Sequence, residues 1–241
     1  MNPRDNALLA AMPTQEYALF LQHLELVSVL EGDVLFEAGE VPGHVYFPIG
    51  AVISIICQLG GDADMETNMI GNSSLVGHSN TGIQSFYTAK VRKTGFVYRM
   101  DFQIYRSLRK QCPVFMESLG HIQLASFRYI SLTATCGRHH PVDQQVMRWM
   151  LLYIDRAKEM LIHISHAELA QLVGCRRVTV TLALGKLQGL GVIKMGRGNI
   201  EVLNRCNLEK LACECYWRIS SKTRPLFTPL MGQAPCASLS A

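Results

Sequence analysis

The 241-residue sequence contains no run of about 18 uninterrupted apolar residues, which argues against a membrane-crossing helix. Charge is also scarce, at 17%, while 49% of the residues are hydrophobic, enough to build a proper core. The eight cysteines, at 57, 112, 136, 175, 206, 213, 215 and 236, include no CxxC pair. They read as small core residues of a reducing compartment, not as disulfide staples. The opening residues Met1-Asn2-Pro3-Arg4-Asp5 lack a basic run leading into an apolar one, so no secretion signal is expected and a cytoplasmic location is. Also missing are a Ser/His/Asp order, a paired-carboxylate constellation and a phosphate-cradling glycine loop, so no enzyme chemistry is expected. There is no internal repeat and no low-complexity run.

What the chain has is an uneven charge. Residues 1–137 hold 9 Lys/Arg and 12 Asp/Glu, a balance of −3, whereas residues 138–241 hold 14 and 7, a balance of +7. A basic C-terminal part fits contact with a polyanion. Within it, Ile164 to Leu203 reads as a helix-turn-helix followed by a β-hairpin. Ser165 and Glu168 have capping-box spacing, Leu169, Ala170, Leu172 and Val173 give the first helix an inner side, and Gly174 supplies the turn. A second helix from about Arg176 to Gln188 carries Val180, Ala183, Leu184 and Leu187 on its buried side. Arg176, Arg177, Thr179, Thr181 and Lys186 fall largely outside that set. Val192–Met195 and Asn199–Leu203 read as strands joined by Gly196-Arg197-Gly198, a turn with a positive tip. A unit of this shape puts its second helix in a DNA major groove and its hairpin tip on flanking phosphates.

From Leu26 to Met100 the texture is short β-like runs: Val34–Phe36, Val45–Phe47, Val52–Cys57, Glu66–Ile70, Tyr87–Arg92 and Phe96–Arg99. Glycines separate them, among others at Gly60-Gly61 and Gly82, a pattern that suggests a rolled barrel or jelly roll. Short helices are expected over Asn6–Met12, from Pro13 to about His23, and over residues 101–111. Pro113 then suits the start of a long helix reaching to about Thr135. Phe115, Leu119, Ile122 and Tyr129 lie on one stripe of it, and Val114, Leu124, Phe127 and Ile130 spread onto a neighbouring one. A helix apolar over so wide an arc must bury two faces, one on the barrel and one on a second copy of itself. Cys136-Gly137-Arg138-His139-His140 reads as the break before the next domain, with Gly137 as a hinge. Pro141 starts another helix, whose inner side is Val142, Val146, Trp149, Met150 and Tyr153, and a last helix is expected over Leu208–Arg218.

The run Ile164-Ser-His-Ala-Glu-Leu-Ala-Gln-Leu-Val-Gly-Cys-Arg-Arg-Val-Thr-Val-Thr181 resembles the helix-turn-helix of the Crp–Fnr family of bacterial regulators. Arg176 to Gln188, with Ala212-Cys213-Glu214-Cys215-Tyr216, is similar to one subgroup of its uncharacterised members. Glu31-Gly32-Asp33, Ala38-Gly39-Glu40 and Val45 to Gly50 resemble the opening turns of the family's cyclic-nucleotide-binding fold. The resemblance spans roughly Leu24 to Tyr216 and implies an α+β protein. Its expected parts are a β-roll sensor with short flanking helices (1–112), a dimerisation helix (113–136), a winged helix-turn-helix domain (137–219) and a flexible tail (220–241).

The resemblance also frames the sites. Members that bind cyclic AMP hold the ribose with a Gly-Glu pair and the phosphate with an Arg-Ser/Thr-Ala run. Here the stretches read Gly71-Asn-Ser-Ser-Leu-Val-Gly77 and Ser85-Phe-Tyr-Thr-Ala89, with neither the acid nor the arginine. A phosphate buried without a cation is costly, so cyclic AMP is not the expected effector. Tyr87, Thr88 and His78 are candidates to line a pocket for something else, or ordinary barrel residues. Where the family's well-known recognition helix presents Arg, Glu and Arg to the bases, this chain has Arg177, Val178 and Leu182. One guanine-reading arginine therefore remains, and Val178 or Leu182 suits a thymine methyl. The resemblance implies a phosphate contact for Thr179, with Arg176, Thr181, Lys186 and the wing's Arg197 expected as further backbone or groove contacts.

Cys136 with His139 and His140, and Cys213 with Cys215, lack the paired spacing of structural zinc sites, so neither a metal nor any other cofactor is expected. The family's iron–sulfur oxygen sensors use an N-terminal cysteine group, absent before Cys57. Cys175, beside two arginines, is a candidate thiol switch or simply a small residue in the turn. The expectation is a cytoplasmic homodimer that binds a two-fold symmetric duplex DNA site, works with RNA polymerase and answers an unknown signal. The alternatives are a ligand-binding sensor whose winged motif contacts protein, and a cupin-like metal enzyme, for which the barrel offers only His44 and His78.

Overall fold

The computed structural model describes residues 1–59, 64–78 and 83–223. The breaks expected at Gly60-Gly61 and Gly82, and the tail after Thr223, lie outside the described residues. After two short helices, α1 (Ala7–Ala10) and α2 (Thr14–Leu21), come seven strands: β1 (Glu25–Val29), β2 (Val34–Phe36), β3 (His44–Ile49), β4 (Val52–Cys57), β5 (Met65–Ile70), β6 (Thr88–Lys93) and β7 (Gly95–Asp101). They form two antiparallel sheets, ordered β1-β7-β3 and β2-β6-β4-β5. The expected runs all appear as strands. β1 does not stand out in the sequence because only Val29 of its five residues is buried, so its apolar alternation is weak. Val29, Phe36, Ile53, Ile70, Val91 and Val97 fill the space between the sheets.

Each sheet is covered on its outer face too. Phe47 and Met100 pack with Leu8, Leu9, Phe20, Tyr105 and Phe115 from α1, α2, α3 (Phe102–Leu108) and α4. The long helix α4 runs from Pro113 to His139. Its N-terminus is capped from far away in sequence: the Glu16 carboxylate accepts the backbone N–H groups of Val114 (3.0 Å) and Phe115 (2.9 Å). Phe115, Leu119, Ile122 and Tyr129 are buried, whereas Val114, Leu124, Phe127 and Ile130 are exposed. The two stripes divide as the sequence implies.

The break is not where the sequence suggests. α4 continues through Gly137, past the expected end at residue 136, because one glycine costs a helix only about 1 kcal/mol. Proline is the stronger stop: Pro141 forces the preceding residue out of the helical region, and His140 has φ −108 and ψ 145. The joint is therefore His140–Pro141, not Gly137.

Beyond it, α5 (Val142–Ala157) is followed by β8 (Leu161–His163), α6 (His166–Val173), α7 (Arg177–Gly189), β9 (Ile193–Gly196) and β10 (Asn199–Val202). The strand β8 has no counterpart among the expected elements, and it completes a sheet ordered β8-β10-β9. The single expected last helix is two, α8 (Arg205–Leu211) and α9 (Glu214–Thr223), with Ala212 extended between them. Arg205 binds Asp155 (2.6 Å), Glu209 (2.8 Å) and the Tyr216 hydroxyl (2.9 Å), which ties both helices to α5.

The outer face of the β4–β5 sheet carries this C-terminal part: Val52 and Met69 share one core with Trp149, Met150, Leu169 and Leu184. A polar strip crosses the seam. Trp149 donates its indole N–H to Glu66 (2.8 Å), and the Ser54 hydroxyl donates to the other Glu66 oxygen. Arg92, 2% exposed, pairs with Glu168 at 2.5 Å. Here the expected capping box is only half made. Ser165 accepts the Glu168 N–H (3.1 Å), but the Glu168 carboxylate goes to Arg92 instead of back to Ser165.

Burial pushes the Glu66 carboxyl above its ordinary value, against the lowering effect of its hydrogen bonds and Arg92. The folded chain thus holds this proton more tightly than the unfolded chain. Stability from Glu66 is full below the unfolded value of 4.5 and declines as pH rises above it. Glu66→Gln, which keeps an acceptor for Trp149, is expected to gain stability relative to the parent as pH goes from 4.5 to 7. Urea midpoints at the two pH values check this, and an advantage that shrinks with pH contradicts it.

Candidate nucleic-acid interface

The helix-turn-helix is α6, a Gly174 turn and α7. Gly174 has φ 77 and its N–H closes on the Ala170 and Gln171 carbonyls, the left-handed cap that lets the chain reverse. In α7, Val180, Ala183, Leu184 and Leu187 are buried, and the opposite face is bare. Arg177, Val178, Thr181, Leu182 and Lys186 lie on that face, with Val178 69% and Leu182 64% exposed. Large apolar groups left in water between basic ones mark a surface made for a partner. Arg176 is the N-cap residue, and no side chain caps the helix, so the positive end of its dipole is open to an anion. Thr179 is exposed beside it.

Two of these residues have partners. The Thr181 hydroxyl donates to the Arg177 carbonyl (3.0 Å) and lies 3.0 Å from Nδ1 of His166. Lys186 stands 3.9 Å from Asp143 while staying 72% exposed. His166, at the start of α6, thus joins this surface; its only sequence signal is its place next to the Ser165 cap. Arg197 is exposed at the tip of the β9–β10 turn. Gly198 there has φ 75, a left-handed conformation that favours glycine at that position of the tip. Cys175 does not become the activated thiol its arginines suggest: burial pushes its thiol up, and it packs against the main core.

Of the three candidate effector residues, Tyr87 and Thr88 both contact the Phe36–Ala38 stretch, whereas His78 has other neighbours. Thr88 accepts the Ala38 N–H (3.1 Å) and donates to Gln58 (3.0 Å). Tyr87 packs on Phe36, with ring centroids 5.5 Å apart. His78 is beside Leu75 and Arg109, and burial, with Arg109 adding, pushes its imidazole down to about 4. None of them lines the small cavity between β5, α4, α5 and α9, whose walls include Asn68, Ser126, Tyr129 and Arg156. There Arg156 lies over the Tyr129 ring at 5.3 Å.

Two pairs that the sequence offers separately come together only in the fold. Cys136, His140, Cys213 and Cys215 place their ligand atoms within 4.8 Å of one another. Spacing along the chain does not suggest a ligand set, yet the α8–α9 corner folds against the end of α4 and brings these four side chains together. His139 is exposed and outside the group.

Residues 144–211 match the Crp-like helix-turn-helix domain model, which begins inside α5 and ends with α8. Over most of its length the chain is 22% identical to the cyclic AMP receptor protein of Thermus thermophilus, across 87% of this chain and 98% of that one. It is 26% identical to the CRP-like protein Clp of Xanthomonas oryzae pv. oryzae, across 70% and 79%. The chain thus resembles Crp/Fnr-type regulators over most of its length. Its fold agrees with solved members: the c-di-GMP responsive global regulator CLP of Xanthomonas campestris superposes with a TM-score of 0.66 at 19% identity, covering 79% of this chain and 99% of that one. A crp/fnr family regulator from Eubacterium rectale also gives 0.66, at 18% identity, over 85% and 96%. The Crp-like domain makes it a DNA-binding transcription regulator. Among the described residues, no helix is long and apolar enough to cross a membrane.

Proposed function

We propose that this regulator acts as a homodimer on a two-fold symmetric DNA site, with α7 of each copy in a major groove. The observation that supports this most is the bare face of α7, where Arg177, Val178, Thr181, Leu182 and Lys186 share one side of a helix whose other side is buried. Arg177 reads a guanine; Val178 and Leu182 lie against thymine methyls; Arg176, Thr179 and the wing's Arg197 hold phosphates. The second copy packs on the exposed Val114, Leu124, Phe127 and Ile130 stripe of α4, which sets the two recognition helices about 34 Å apart.

Control is a population shift. A signal at the β-roll or α4 biases the His140–Pro141 joint and the Arg92–Glu168 seam, and with them the placement of α7. Cyclic AMP does not suit a roll whose Thr88 is already bonded to Ala38 and Gln58 and has no arginine beside it. The Xanthomonas campestris structure is described as c-di-GMP responsive, so cyclic dinucleotides join the effectors to be offered. RNA polymerase is the partner through which such a protein acts, inside the cytoplasm.

Selection of bound sequences from random DNA by the purified chain is expected to return an inverted repeat, with affinity falling steeply as salt rises. A pool with no repeat and no salt dependence favours a winged motif that contacts protein. On the selected site, Arg177→Ala is expected to cost about 1–3 kcal/mol and to relax one base position per half-site, measured by fluorescence anisotropy. Unchanged affinity and preference contradict the role given to Arg177.

A further inference from the structure

We propose that Cys136, His140, Cys213 and Cys215 form a tetrahedral zinc site that locks the joint between the long helix and the DNA-binding domain. Cys136 ends the buried side of α4, His140 is the joint residue itself, and Cys213 and Cys215 flank the start of α9. The three sulfurs are buried together as a small cluster of their own.

The spacing fits one ion. Zinc–sulfur bonds of about 2.3 Å and zinc–nitrogen bonds of about 2.0 Å put the corners of a tetrahedron about 3.5–3.8 Å apart. Cys136 Sγ and Cys213 Sγ are 3.6 Å apart, and Cys215 Sγ is 3.6 Å from His140 Nδ1. All four ligand atoms lie within 4.8 Å of one another, closer than ligands spread over several irons of a cluster would be. The sulfur separation is also far beyond the roughly 2.0 Å of a disulfide bond. Three thiolates and an imidazole match the closed ligand sets of structural zinc.

The surroundings are arranged for a ligand as well. The other nitrogen of His140, Nε2, faces the Glu214 carboxylate at 3.4 Å. A carboxylate on that side is the usual support of a metal-bound histidine, with Nδ1 facing the Cys215 sulfur. The His140 backbone is fixed from both sides: its N–H donates to the Cys136 carbonyl (3.0 Å), and its carbonyl accepts from Gln145 (2.8 Å). Cys213 and Cys215 lie just past the matched helix-turn-helix domain, which ends at residue 211.

The site joins residues on both sides of the one break in the chain between α4 and α5. An occupied site fixes the angle at which α4 hands over to the DNA-binding domain; an empty one frees it. This consequence for DNA rests on the function proposed above, whereas the site does not.

The test uses the full chain, purified under reducing conditions with any affinity tag removed, loaded with Zn²⁺ and desalted. Elemental analysis is expected to find about one zinc per chain. Cys136→Ser, His140→Ala and Cys215→Ser should each lose most of it, and Cys57→Ser, outside the group, should keep it. Cobalt(II) in place of zinc should give the thiolate charge-transfer and strong visible bands of a tetrahedral site. Glu214→Gln should weaken zinc about tenfold in competition with a chelating dye. If a cysteine variant does not fold, the parent chain decides: a chelator should lower its melting temperature and zinc should restore it. A parent chain that retains no zinc and shows no cobalt bands overturns the proposal. So do variants that bind as much zinc as the parent, or a Cys136–Cys213 disulfide in the reduced preparation. Arg177→Ala should keep its zinc whatever its DNA affinity, so a chain that holds zinc but ignores DNA overturns only the function.

Discussion

Phe127→Asp is expected to convert the protein to a monomer in sedimentation and to weaken binding to a two-half-site DNA by about 10²–10⁴-fold, the loss that follows when two linked contacts become one. Phe127 is 68% exposed and Leu124 59% exposed at the middle of α4, and Val114 and Ile130 extend the patch toward both ends. Because Phe127 touches little within its own chain, the carboxylate should leave the secondary structure intact, which circular dichroism checks. Placed between two copies, that carboxylate would lose its hydration without a cation to replace it. A half-site oligonucleotide separates the two effects, since affinity for one half-site should barely change. A Phe127→Asp chain that sediments as a dimer contradicts the interface assigned to α4.

The second large effect concerns the seam between the roll and the helix-turn-helix. Glu168→Ala should cost about 1–3 kcal/mol in urea unfolding, because Arg92, 2% exposed, keeps its charge, loses its ion pair and is left with Ser54 (3.5 Å) and the nearby Glu66. Glu168 is itself 34% exposed, so the reverse deletion is milder: in Arg92→Met the carboxylate turns to water and an apolar chain takes the arginine's place. The double variant should therefore recover much of what Glu168→Ala loses, giving strong coupling in a double-mutant cycle. Additive losses would show that the pair does not hold the domains together. DNA affinity of the double variant adds a second reading, because the seam keeps α6, and with it α7, against the β-roll.

A good deal of the architecture was legible in the amino-acid order. Strands β2 to β7 follow short apolar runs between glycines. The burial of Val180, Ala183, Leu184 and Leu187 follows helical spacing, and so does the exposure of Val178 and Leu182. The two stripes of α4 separate for the same reason: periodicity records which side of an element meets water. Local rules failed where a stronger or more distant effect intervened. Gly137 looked like a break, but a helix absorbs a glycine more easily than it passes Pro141. The Glu168 carboxylate left its own helix cap for Arg92, because a buried guanidinium demands a charged partner more than the N–H of the exposed Ser165 does. Cys175 stands next to two arginines in sequence, yet the fold turns its sulfur toward the core.

By itself, the sequence determined strands β2 to β7, most of the helices, their faces and the basic α7 surface, since each depends on contrasts within a dozen residues. Only the tertiary structure decided that the C-terminal part rests on the β4–β5 face through Glu66, Trp149, Arg92 and Glu168, and that Cys136 and His140 meet Cys213 and Cys215. Those partners are separated by more than 70 positions. No local pattern encodes which distant groups will share one buried place; the packing of α5 and α9 against the roll and α4 does.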